Sequence, residues 1–108
     1  MAYLVKFAAR AGRDLSTLFK QVHAGDSPPA ARWFNGFEKA IGTLENLPLR
    51  CPTAPERKGK NGQPLRQLLD GKKPHIYRVI FDVDEPRKIV NVLTVRHGVM
   101  DTLGEAEL

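Results

Sequence analysis

Three kinds of side chain in this 108-residue sequence could do chemistry: a cluster of cations, an arginine set among apolar residues, and two groups able to move a proton or attack. Residues 50–78 hold Arg50, Arg57, Lys58, Lys60, Arg66, Lys72, Lys73 and Arg78 against only Glu56 and Asp70, a local charge of +6 in a chain whose total is +5. Clustered cations either draw a polyanion or acidic partner, or form a solvated loop. Arg78 stands among Tyr77, Val79, Ile80 and Phe81. A guanidinium is costly to bury unpaired, so it must face solvent, a carboxylate such as Asp82 or Asp70, or a bound anion. His97 could act as a general acid or base, since its free pKa lies near neutrality, or simply end a strand at the surface. Cys51 follows Arg50, a cation that could lower its thiol pKa. No histidine is near it in sequence, and a small buried thiol is the better reading.

Several chemistries are excluded. A single cysteine forms neither an internal disulfide nor a multi-cysteine metal site. His23, His75 and His97 lie far apart without close ligand spacing, so no metal is expected. There is no glycine-rich phosphate loop and no HExxH, and no cofactor or small-molecule substrate is expected. The chain is 42% apolar and 27% charged, ordinary for one soluble domain spanning 1–108. No apolar run approaches the roughly 20 residues of a membrane span. No secretory leader is evident, so a cytoplasmic protein without a membrane partner is expected.

The elements that must position these groups follow from periodicity. Tyr3, Val5 and Phe7 alternate as in a short strand. Ala8, Ala11, Leu15, Leu18, Phe19 and Val22 make a helical stripe, with Gly25 placed to end it. Asp26-Ser27-Pro28-Pro29 marks a second helix start, followed by Ala30, Trp33, Phe34, Phe37, Ala40, Ile41 and Leu44 at helical spacing and closed by Pro48. Trp33, Phe34 and Phe37 are read as core because their spacing is the packing period. A short link makes the helices an antiparallel hairpin. Residues 48–64, with four prolines and two glycines, read as a long basic irregular loop. Leu65–Leu69 reads as a short strand closed by Asp70-Gly71. Residues 76–83 and 89–95 read as strands about a turn at 84–87. The order β-α-α-β-β-β predicts an α+β domain: a small antiparallel sheet with the N-terminal helical hairpin packed on one face. Residues 98–108 form a short acidic tail.

Alternation then assigns faces. Tyr77, Val79, Phe81 and Val83 form the core row, leaving Ile76, Arg78, Ile80 and Asp82 on the other. With the turn at 84–87, Arg78 lies opposite Leu93, and Asn91 and His97 share its face. A one-residue slip puts Arg96 there instead.

The segments YLVKFAARAGRDLSTLF, LRQLLDGKKPHIYRVIF and VNVLTVRHG resemble the RelE/ParE superfamily of bacterial toxins over residues 3 to about 101, in the same order of elements. The resemblance implies the toxin of a type II toxin–antitoxin module of the kind used in plasmid stabilisation, which inhibits growth and is neutralised by a cognate antitoxin. Members of the RelE kind cut mRNA on the ribosome without a metal. The ribose 2′-hydroxyl attacks while cations stabilise the developing charge. The resemblance places Arg78, His97 and Arg66 in that catalytic role. Nucleic-acid or target binding would fall to Arg57, Lys58, Lys60, Arg66, Lys72, Lys73, Arg78 and Arg96. RelE-like members commonly carry a further arginine and tyrosine near the C-terminus; here stand Val99, Met100, Asp101 and Thr102, and the only tyrosines are Tyr3 and Tyr77. ParE-like members poison DNA gyrase and often end in a histidine-glycine pair with a basic residue and an aspartate. HGVMD keeps His97, Gly98 and Asp101, with Met100 in the basic place. The resemblance leans to the ParE kind. The alternatives are the ribosome-dependent nuclease and a non-toxic basic module binding RNA or protein on the same fold.

Overall fold

In the computed structural model, residues 2–55, 63–72 and 75–97 are described. The first helix, α1 (Ala9–Gln21), buries Ala11 and Leu18 and half-buries Leu15 and Val22, four of the six residues in the predicted stripe, while Ala8 and Phe19 stay exposed. It stops at His23 rather than Gly25. His23 takes a left-handed backbone, φ 60°. Its N–H donates to Lys20 O at 3.1 Å and that of Ala24 to Phe19 O at 3.0 Å, a bond pair that satisfies the last carbonyls of a helix. Histidine enters this region more readily than most side chains, so the stop needs no glycine.

Helix α2 (Pro28–Gly42) begins as the sequence predicts: Ser27 Oγ accepts from the Ala30 N–H at 3.3 Å and Pro28 fills the first turn. Phe34, Phe37 and Ile41 are buried, and a 3₁₀ turn at Thr43–Glu45 continues the burial with Leu44. A second 3₁₀ turn, Pro48–Arg50, follows Leu47, whose backbone is left-handed. Arg50 folds back on this bend. Its Nη1 donates to Asn46 O at 2.8 Å and Leu47 O at 3.1 Å, and its Nη2 to Thr43 Oγ1 at 2.9 Å.

Strands β1 (Leu4–Phe7), β2 (Arg66–Lys72), β3 (His75–Asp84) and β4 (Ile89–His97) form one sheet in the order β1-β4-β3-β2. The last three strands make the expected antiparallel meander, but β1 runs parallel to β4, so the sheet is mixed. Only tight turns force neighbouring strands to be antiparallel. A two-helix excursion imposes no such constraint, and β1 joins the edge that the meander leaves open. Strand β2 also runs past Asp70 through Gly71, whose φ of 107° glycine accepts without strain.

Both helices pack on one face, against Val79, Phe81 and Val83 of β3, Val90, Val92 and Val95 of β4, and Tyr3 and Val5. Trp33 stacks on Phe37 with centroids 5.5 Å apart, and both meet Tyr77, at 5.3 and 5.8 Å, so these aromatics are core as read. The opposite face is not bare. Ala54, Leu65 and Ile80 form a second buried cluster with Leu93 against it. Thr53 bridges Arg66, the Ala54 N–H donates to Leu65 O at 2.8 Å, and the Gln67 N–H to Pro52 O at 3.0 Å. Residues 52–54 therefore behave as a fragment of edge strand where an irregular loop was expected. No described helix is long and apolar enough to cross a membrane.

The β3–β4 turn clasps the start of β1. Tyr3 donates its hydroxyl to Glu85 Oε1 at 2.6 Å, and Lys88 Nζ lies 3.0 Å from Glu85 Oε2 and 5.1 Å from the Tyr3 ring centroid. The Leu4 N–H donates to Lys88 O at 2.9 Å. The Tyr3 hydrogen bond, then the Lys88 one, hold the Glu85 carboxyl below its ordinary range. A depressed carboxyl stabilises the fold above its unfolded pKa, and that contribution is lost as pH falls through the folded value. Tyr3→Phe should therefore raise the Glu85 midpoint in an NMR carboxyl titration and flatten the acid-side fall in stability. An unmoved midpoint would assign the whole effect to Lys88.

Candidate functional site

A bulge decides which side chains meet on the sheet. Along β3 and β4, Ile80 pairs Thr94 but Phe81 pairs Val92, so Leu93 is an extra residue in β4. Two-against-one pairing takes a backbone group out of the ladder. Asp14 of α1 makes up the loss. Its Oδ2 accepts from Thr94 Oγ1 at 2.6 Å and from the Val95 N–H at 3.0 Å. One carboxylate thus fastens α1 to the middle of β4 and secures the irregularity.

The turn falls at 85–88, one residue later than expected, which shifts the register by two and leaves every face unchanged. The bulge adds one more residue and reverses the faces beyond it. Arg96, not Leu93, lies opposite Arg78, and His97 lies opposite Tyr77. The expectation that His97 shares the Arg78 face is corrected accordingly. His97 instead sets its ring against Tyr77, centroids 4.9 Å apart, extending the aromatic series begun by Trp33 and Phe37.

Arg78 is fully buried, at 0% exposure, so the picture of an open guanidinium awaiting an anion is corrected. Its Nε donates to Gln67 Oε1 at 3.0 Å, an amide the sequence reading did not single out. Register places Leu69, 46% exposed, directly across from it on β2. Arg66 turns to the backbone, its Nη1 donating to Cys51 O at 2.7 Å and Leu49 O at 3.3 Å. The structure therefore brings Arg78 and Arg96 side by side and separates them from both Arg66 and His97. Arg57, Lys58, Lys60 and Lys73, the acidic tail 98–108 and residues 56–62 of the basic loop lie outside the described residues. Lys72 closes β2, its backbone paired with that of His75.

Cys51 is buried, and burial pushes its thiol pKa up despite the opposing pull of Arg50 and Arg66. Burial likewise raises the Tyr77 hydroxyl. Among the described residues no three His, Cys, Asp or Glu side chains come together as a metal would require. Two adjoining clefts share Gln21 and Tyr77. One, about 230 Å³, runs between α1 and the end of β4, and the other, about 450 Å³, is walled by Val22, Ala30 and Trp33.

Gln67 and Asp14 were missed from sequence. Gln67 follows Arg66, and Asp14 stands among Arg13, Ser16 and Thr17, so each looks like one more residue of a polar face and carries no local mark of its partner.

The family described as the ParE toxin of the type II toxin–antitoxin system, parDE, matches residues 5–102. The chain belongs to the ParE toxin family. Its fold is similar to that of a toxin–antitoxin complex, RelBE, from Mycobacterium tuberculosis, at 25% identity and TM-score 0.60 over 91% of this chain and 100% of that one. A chromosomal ParDE system from P. aeruginosa aligns at 15% identity and TM-score 0.65, covering 89% and 96% of the two chains. A free-state mutant of the E. coli toxin RelE aligns at 16% and 0.58, covering 89% and 83%. None of the curated proteins compared with the chain matches it. This is therefore the toxin of a type II module, on a fold that ParE and RelE structures share.

Two substitutions test the geometry of this ParE-family toxin. Asp14→Ala strands the Thr94 hydroxyl and the Val95 N–H and should cost about 1–3 kcal/mol in urea unfolding. An unchanged midpoint would mean that water replaces the carboxylate at no cost. Arg78→Ala empties a buried site and should also lower the unfolding midpoint, whereas an exposed arginine would leave it in place.

Proposed function

We propose that this toxin arrests growth in the ParE manner, by poisoning DNA gyrase, and that a cognate antitoxin neutralises it. The observation that carries the reading is the dispersal of the nuclease set. Cleavage by cation-stabilised attack needs its groups around one phosphodiester with donors aimed at the developing charge. Arg78 is buried against Gln67, Arg66 is committed to the carbonyls of Leu49 and Cys51, and His97 packs on Tyr77 on the helix-bearing face. A gyrase poison needs a surface and no such constellation. The family match to ParE and the HGVMD ending support the same reading.

The antitoxin follows from the module and from charge. Acidic segments that fold on a toxin gain apolar burial and electrostatic complementarity together. The excess positive charge of residues 50–78 suits such a partner.

Induced expression in a sensitive bacterium should arrest growth, with trapped DNA breaks and an SOS response, and purified gyrase should accumulate cleaved complexes when the toxin is added. Primer extension on cellular mRNA should show no new discrete 5′ ends. Discrete ends without DNA breaks would establish the RelE-like activity instead, and unaffected growth would favour the non-toxic binding module.

A further inference from the structure

Asp82 belongs to the same sheet face as Arg78 and is only 3% exposed. Its Oδ1 accepts from Asn91 Nδ2 at 2.9 Å, directly across the strands. Its Oδ2 accepts no hydrogen bond among the described residues. No fully buried side-chain nitrogen or oxygen there lacks a partner, so Oδ2 reaches solvent. The solvent it reaches is a cleft of about 420 Å³ that Asp82 lines with Gln63, Asp84, Arg87 and Asn91.

Among the described residues, the charges around this oxygen do not balance it. Arg87 serves Asp84, with its Nε 3.8 Å from Asp84 Oδ2 and its N–H donating to Asp84 Oδ1 at 3.3 Å. Lys6, beside Asn91 in register on β1, is exposed and forms no ion pair with Asp82 among the described residues. A carboxylate this desolvated, offered a single neutral donor, gains most from a cation that brings its own hydrogen bonds. Guanidinium fits best. It is weakly hydrated and planar, and it carries five donors. The side-chain oxygens of Gln63 and Asn91 and the Oδ2 of Asp82 supply acceptors. Two carboxylates, one already engaged by Arg87, are too few for a tightly held divalent ion.

We propose that the Asp82–Asn91 cleft is a socket for a guanidinium group, a site separate from the arginine-bearing part of the sheet and independent of the toxin's target. The guanidinium could come from an arginine of a partner chain or from a free small cation, and the chemistry of recognition is the same.

The test is an amide-resolved NMR titration of the full chain with agmatine, with acetyl-Gly-Arg-Gly-amide in parallel. Saturable shifts should be confined to Gln63, Asp82, Asp84 and Asn91, including the Asn91 side-chain amide. Asp82→Asn should weaken agmatine about tenfold or more, and its spectrum reports whether the fold is kept. Gln63→Glu, at the rim, should tighten binding and stands as an independent check if the first variant fails to fold. A peptide several-fold tighter than agmatine identifies a partner's arginine as the source, and equal affinity identifies a free cation. Absent or non-saturating shifts, equal affinity in Asp82→Asn, or Mn²⁺ competing away the agmatine shifts at equal concentration would overturn the socket.

Discussion

The carboxylate of Asp14, shared between the Thr94 hydroxyl and the Val95 amide, is the contact on which the rest of the arrangement turns. It does two jobs with one oxygen. It anchors the helical layer to the middle of the sheet, and it compensates the backbone amide that the Leu93 bulge takes out of the ladder. Remove the bulge and every residue beyond it in β4 changes sides. Arg96 would leave Arg78 and turn toward the helices, and His97 would leave the aromatic series. The identity of the residues on each face near the C-terminal end of β4 is thus set by an acid on a helix some 80 positions earlier in the chain.

With that register in place, Arg78 reads as an architectural residue. It donates to Gln67, stands opposite Leu69 of β2 in register, and is followed along β3 by Ile80, whose packing with Ala54 and Leu65 closes part of the face that had been expected to stand open. A buried guanidinium that keeps its hydrogen bonds contributes packing through its stem and orientation through its donors. Its removal therefore perturbs the fold and the surface together. Loss of toxicity on replacing Arg78 is then uninformative about chemistry unless stability is measured beside it.

Much of this was legible in the residues. The stripes of α1 and α2, the Ser27-Pro28 start and the core row Tyr77, Val79, Phe81 and Val83 all follow from local periodicity and capping chemistry, and they agree with the structure because propensity and packing demand the same thing there. The discrepancies share a different origin. The parallel sense of β1, the face reversal in β4 and the burial of Arg78 each depend on pairings between residues far apart in the sequence, for which a single chain carries no local mark. The helix stop at His23 failed for a smaller reason, since glycine is the commonest residue in that conformation but not the only one that tolerates it. The candidate site was the least legible part because its membership is a matter of parity. One inserted residue, Leu93, exchanges His97 for Arg96.

The parallel pairing of β1 with β4 has a temporal corollary. Leu4 meets Ile89 and Phe7 meets Val92, so the strand nearest the N-terminus completes the sheet with the strand made last. Closing so long a loop is entropically expensive and comes after the hairpins, whose partners are neighbours in the sequence. On a ribosome, where the chain emerges at about 5–20 residues per second, neither the sheet nor the Asp14 anchor can form until β4 is out of the tunnel. A nascent copy therefore lacks its finished surface until residues 89–97 have emerged, however early its helices are made.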